Sequence, residues 1–207
     1  MTKTIETQVE TELIIKKSRF IGILKPLSDI QLVPSYLAEI RCRYPDATHY
    51  CYAYRVDGAI RANDDGEPAR TAGAPILNVL EKNHLDHILA VVVRYFGGIK
   101  LGAGGLVRAY SQAAAEALAN AHIVTKIRAP YYRISFPYSL IRQMDHFCKQ
   151  QDIEILVKDY QEDVHYECFI VSKSILETLA ELFQNHITFN CLKYDDVTVK
   201  EENTCAN

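Results

Sequence analysis

The stretch that most constrains this chain runs from residue 87 to residue 121, where three kinds of sequence follow one another without a break. Ile88 to Val93 is continuously aliphatic, so His87 to Tyr95 reads as one strand covered on both faces. Phe96 to Gly105 then holds five glycines in ten residues. Leu106 to Ala121 is an alanine-rich helix whose inward face (Leu106, Tyr110, Ala113, Ala114, Ala117, Leu118, Ala121) is built mainly of small side chains. Such a helix can lie close against a sheet, which points to an α+β fold with a central buried strand.

A strand, a glycine-rich loop and a helix N-terminus together form a backbone site for an anion. Glycines let N–H groups converge, and the helix dipole places about half a positive charge at the first turn. Arg94, Lys100 and Arg108 flank the loop, and no Asp or Glu occurs between His87 and Ala115. The candidate anion or nucleic-acid site is therefore Arg94, Lys100, Gly102, Gly104, Gly105 and Arg108. The same glycines also suit tight turns and close packing, and the sequence leaves both uses open. Nucleotide motifs do not match. The Gly-Lys-Ser/Thr of a P-loop is absent, and the dinucleotide spacing that begins at Gly102 and Gly104 meets Val107 where its third glycine belongs.

A second polar cluster runs from Asn63 to Gly73. With the preceding His49, its candidate residues are Asp64, Asp65, Glu67, Arg70 and Thr71. Carboxylates at this density suit either Mg²⁺ or a tight turn in which they accept backbone N–H groups and pair with arginine. The EF-hand register is missing, so the turn is the expected reading, with no metal and no cofactor. Arg94 ends a very apolar strand and needs a carboxylate partner, expected among Asp64, Asp65 and Glu67. Both polar segments are expected on one face. His49 and Cys51 share a strand face, but no third group orients them, so no catalytic residue is assigned.

The rest of the chain supplies two domains. Glu10 to Leu24 reads as paired strands broken at Lys16-Lys17-Ser18, and Pro34 to Arg43 as a helix with Tyr36, Leu37 and Ile40 inward. Ser28 with Gln31 would start that helix earlier, but Pro34 would then stand inside it. His49–56 and 59–63 form a hairpin around Asp57-Gly58, and Ala74 to Lys82 a short helix. A boundary at Ala129-Pro130 separates domain 1–129 from domain 130–207. The second reads as strand 131–138, a helix capped by Ser139, strands 153–159 and 165–171, a helix with a Ser174/Glu177 capping box, and strand 187–199. The order βαββαβ is ferredoxin-like.

Charge separates the two. Residues 1–129 carry 16 Lys/Arg against 13 Asp/Glu, whereas residues 130–207 carry 7 against 13. An anionic partner therefore belongs to the first domain. No run approaches the roughly 20 apolar residues of a membrane span, and the polar, acidic N-terminus is unlike a signal peptide. A cytoplasmic location is expected. The six scattered cysteines (Cys42, Cys51, Cys148, Cys168, Cys191, Cys205) then read as reduced thiols, most of them in the core.

Three segments resemble the IMPACT/YigZ family: Lys17-Ser18-Arg19-Phe20-Ile21, the run from Pro45 to Tyr54, and the long run from Asp64 to Ser111, which contains RYFGGIKLGAGGLVRAY. The resemblance covers residues 10–125 closely and the remainder loosely. One departure lies at Ala69-Arg70, where the family usually has Ser-Gly, so any chemistry needing that serine is missing. The resemblance implies a first domain like the ribosomal-protein domain-2-like fold and a second domain like one from elongation factor G. Eukaryotic relatives regulate translation initiation by competing for a kinase activator, and they carry a different accessory domain, so that partner does not transfer to this chain. The expected function is therefore non-catalytic binding of RNA, the ribosome or a translation factor. The alternatives are an enzyme acting on a phosphorylated small molecule and a protein-interaction module without nucleic acid.

Overall fold

The computed structural model describes residues 1–183 and 186–199, and these divide into two compact units, Thr2–Thr125 and Lys126–Val199. The fold is α+β throughout.

The first unit is built on β2 (Val9–Ile15), β3 (Ser18–Pro26), β4 (His49–Val56), β5 (Ala59–Asn63) and β6 (Ile88–Tyr95). Their order is β2-β3-β6-β4-β5, with every neighbour antiparallel. The aliphatic β6 takes the centre, and each of its residues up to Arg94 is buried. Its alternating side chains serve two cores. Ile88, Ala90 and Val92 join Phe20, Leu24, Cys51 and Ala53 beneath α2 (Gly73–Lys82) and α3 (Ala103–Ala119). Leu89, Val91 and Val93 join Ile21 and Ile23 beneath α1 (Val33–Arg43). The small face of α3 comes so close to the sheet that a Cβ on Gly22 would stand 2.4 Å from the Ala113 carbonyl oxygen. Antiparallel pairing also gathers the start of β3, the end of β6, the start of β4 and the end of β5 at one end of the sheet.

β1 (Thr2–Ile5) pairs with β7 (Ile123–Phe136), the strand within which the boundary between the units falls. The second unit continues with α4 (Ile141–Gln150), β8 (Ile155–Tyr160), β9 (Val164–Phe169), α5 (Lys173–Phe183) and β10 (Thr188–Val199). Within it the strand order β10-β7-β9-β8 is ferredoxin-like. Ile134, Phe136, Val164, Tyr166 and Cys168 pack against Met144, Phe147, Leu179 and Phe183 of the two helices.

Local differences from the sequence expectations have local causes. α3 begins at Ala103, three residues early, because Gly102 takes the cap position with φ 71° and two of the glycines fit inside the first turn. β7 begins at Ile123 and runs through Pro130, while β1 is a strand that its short polar sequence did not announce. Asp29, rather than Ser28, accepts the Gln31 N–H before a 3₁₀ turn, which leaves Pro34 in the first turn of α1, where a missing N–H costs little. Ser139 falls within a 3₁₀ turn and does not cap α4, and Ser174 lies inside the first turn of α5. Cys42, Cys51, Cys148, Cys168 and Cys191 are free thiols, and Cys205 lies outside the described residues. Among the described residues no helix is long and apolar enough to cross a membrane.

Candidate nucleic-acid interface

At the gathered end of the first sheet, β6 delivers Arg94 into the core beside Glu67. Arg94 Nη1 donates to Glu67 Oε1 at 2.5 Å, and the guanidinium lies 5.3 Å from the Phe20 ring centroid and 5.5 Å from that of Phe96. The same carboxylate oxygen accepts the Tyr110 hydroxyl at 2.7 Å and has His49 Nε2 at 3.8 Å. Cys51 Sγ stands 3.4 Å from the Tyr110 hydroxyl and 3.0 Å from the Asp64 carbonyl. Arg94 Nη2 reaches the buried Ser18 Oγ at 3.4 Å, and that oxygen also accepts the Gly97 N–H. Burial pushes the Cys51 thiol up to about 12 and the Tyr110 phenol well above its ordinary value, so both keep their protons. The expected carboxylate partner of Arg94 is thus Glu67. Arg94 is withdrawn from the anion-facing set, because it is buried and spent on that pair.

The Asp-rich segment is a turn organised by its own carboxylates. Asp64 Oδ1 accepts the N–H groups of Ala72 and Gly73 at 3.0 and 2.8 Å, and Oδ2 accepts that of Arg70 at 2.8 Å. It thereby caps α2 from outside the helix. Burial would raise the Asp64 pKa, but the three backbone donors together hold it below the usual carboxylate value. Asp65 accepts the Tyr50 N–H at 2.7 Å, and its carbonyl meets His49 Nδ1 at 2.8 Å. Thr71 Oγ1 donates to the Pro68 carbonyl. Arg70 is exposed and sits at φ 63°, the left-handed region. Among the described residues no group of three or more His, Cys, Asp or Glu side chains is arranged to hold a metal ion.

The end of β6 meets this turn through Arg94 and Glu67, and the glycine-rich loop that follows it meets the β2–β3 turn through Gly97. A Cβ on Gly97 would stand 2.0 Å from the Lys17 carbonyl carbon, so only glycine lets the two backbones touch. Lys16 and Lys17 form that turn with φ 45° and 67°, and both are exposed. They therefore stand beside the loop that carries the exposed Lys100. In the sequence they looked like a simple break between strands; pairing of Arg19 with Tyr95 is what brings them here.

At the first turn of α3, Gly104 lies on the surface, and Gly105 packs with its Cβ position 3.0 Å from the Leu101 Cβ. The first helical bond runs from the Leu106 N–H to the Gly102 carbonyl, and among the described residues no side chain caps the turn and no acid stands in it. The Arg108 guanidinium folds back over this turn, with Nη1 4.0 Å from the Cβ position of Gly104. Beyond Arg108, α2 and α3 frame an open groove lined by Asn78, Val79, Lys82, Val107, Arg108, Ser111, Gln112 and Ala115. Lys82 is a second cation that the sequence did not single out, since it follows Glu81 in an ordinary amphipathic helix.

Comparison with known proteins gives the chain its relatives. Residues 16–118 match the Impact N-terminal domain. The IMPACT family member YvyE of Bacillus subtilis (strain 168) is 38% identical over 173 residues, covering 82% of this chain and 80% of that protein. The IMPACT family member YigZ of Escherichia coli (strain K12) is 36% identical over 174 residues, covering 81% and 85%. A solved structure described as a hypothetical protein is 31% identical with a TM-score of 0.61, over 97% of this chain and 98% of that one. With two-domain architecture, signature turn and glycine loop all in place, the chain belongs to the IMPACT family.

Proposed function

We propose that the first unit binds RNA through its phosphate backbone, with the ribosome or an RNA-bearing translation factor as the cellular partner and the cytoplasm as the place of action. The observation that carries this reading is the first turn of α3. Its free backbone N–H groups and its dipole already attract an anion, yet Arg108 folds over it and Lys100 precedes it. Cations at a helix N-terminus repel the dipole, and a bound phosphate removes that conflict. Lys16 and Lys17 extend the same positive surface.

An enzyme is less well supported. The clustered titratable groups (Arg94, Glu67, Tyr110, Cys51) face one another inside the core, with the thiol and phenol held protonated. The groove between α2 and α3 is open to solvent along its length, as a binding surface requires.

Salt-dependent binding of a labelled single-stranded RNA tests the reading. Two or three phosphates contacted by Lys100, Arg108 and a neighbouring lysine give a log–log slope of about −2. Lys100→Ala lowers affinity and flattens the slope by about 0.7 while leaving the melting temperature unchanged. Salt-independent binding, or none at low salt, would remove RNA and leave a protein partner.

A further inference from the structure

A phosphate site has no use for an apolar floor, yet the groove that opens beside Arg108 has one. Val79, Val107 and Ala115 form it, Val107 being 39% exposed. Asn78, Ser111 and Gln112 supply polar groups at its rim, and Lys82 on α2 and Arg108 on α3 bring a cation from each wall. No Asp or Glu lines it among the described residues; the nearest acid on α3, Glu116, accepts the Gln112 side-chain N–H at 2.9 Å. The groove is a shallow one, with about 470 Å³ of space that is largely open to solvent, enough to take one planar ring against its floor.

We propose that this groove seats an unstacked nucleobase, so that the RNA taken by the first unit is single-stranded. This rests on the phosphate-backbone reading above and specifies its ligand. Three features fit a base. Val107 and Ala115, with the edge of the nearly buried Val79 between the helices, offer an apolar contact for a ring face. The Asn78 amide carries a donor and an acceptor, as base edges do, and Gln112, whose N–H is held by Glu116, adds its carbonyl oxygen as an acceptor. The cations stand to either side, where the phosphates flanking a seated nucleotide must run. A duplex cannot use the groove, because its base faces are stacked and its major groove is deep and narrow. An acidic peptide also offers donor and acceptor pairs through its backbone, and it is the competing occupant that the test separates.

Fluorescence anisotropy on the full-length chain separates the possibilities, using a labelled twelve-nucleotide oligouridylate, an abasic ribose-phosphate strand of equal length, a duplex of equal length and an acidic amphipathic peptide as competitor. The expected order is oligouridylate tightest, with the abasic strand and the duplex several-fold weaker. Val107→Ser weakens oligouridylate by about fivefold, the worth of roughly 40 Å² of apolar contact, Asn78→Ala weakens it by about the same factor through one lost hydrogen bond, and both leave the abasic strand unchanged. Both positions are exposed, and circular dichroism confirms that the variants fold. Equal binding of base-bearing and abasic strands overturns the base seat and keeps the phosphate reading. Tighter binding of the duplex or of the peptide also overturns it, and failure of every polyanion to bind overturns both.

Discussion

The guanidinium of Arg94 and the carboxylate of Glu67 meet at 2.5 Å with their side chains only 5% and 4% exposed. One link thus fastens the central strand to the signature turn, and it does so inside the core. Removing one member of a buried pair leaves an uncompensated charge, whereas replacing both with apolar groups does not. Arg94→Met should cost about 3–5 kcal/mol in denaturant unfolding. The double variant Arg94→Met/Glu67→Leu should cost less than the sum of the two single changes. Additive costs would mean that the pair is not coupled.

Position 70 carries the left-handed backbone that usually belongs to glycine, and here it carries arginine with φ 63°. Arg70→Gly should therefore raise stability by about 1 kcal/mol, with the Asp64 contact to its N–H retained. A lower denaturation midpoint would show that the Arg70 side chain contributes more than its backbone costs.

Asp64 makes stability depend on acid. Its pKa is depressed in the folded chain, so its contribution is fully present above the ordinary carboxylate value and is lost as pH falls through the folded value. Asp64→Asn should destabilise by about 1–2 kcal/mol at pH 7, the size expected for a solvent-screened carboxylate with several N–H donors. The difference from the parent chain should shrink steadily as pH is lowered from the ordinary carboxylate range to a strongly acid pH. A gap that persists at that pH would assign the effect to shape instead of charge.

Two neighbouring glycines should respond differently to the same change. A Cβ at Gly97 runs into the Lys17 backbone, whereas one at Gly98 meets open space at φ 83°. Gly98→Ala should cost about 1 kcal/mol for the left-handed conformation. Gly97→Ala should cost about 1–3 kcal/mol for displacing the lysine turn, and should weaken RNA binding because it moves Lys16 and Lys17 away from Lys100. Equal binding by the two variants would place those lysines outside the interface.

What the sequence made legible was whatever had a strong period or strong local chemistry. β6, the α3 face from Leu106 to Leu118 and the 49–63 hairpin were readable because burial imposes a repeat of 3.6 or 2.0 on them. The need of Arg94 for a carboxylate was readable because a charge ending an aliphatic strand must be paired. The part played by Lys16 and Lys17 was not, since it depends on β3 pairing with β6 some seventy residues away. The groove between α2 and α3 was hidden for a related reason. Its residues are the outward ones of two ordinary amphipathic helices, and only packing sets Val107 beside Val79. The early start of α3 was not legible because glycine lowers helix propensity, yet Gly104 and Gly105 both stand in its first turn.

The buried thiols have a practical consequence. Burial raises Cys51 and Cys168 to about 12 and Cys148 to about 11, so none offers a thiolate to a reagent while the chain stays folded. Cys42 and Cys191 are exposed and would be modified first. With Cys42, Cys191 and Cys205 replaced by serine, the remaining three become clocks for local opening. Cys51 times the first unit, and Cys148 with Cys168 times the second. The rate at which each reacts with a disulfide reagent would then give a separate opening free energy for each half of the molecule. Added RNA should slow the Cys51 clock and leave the other one running at its own pace.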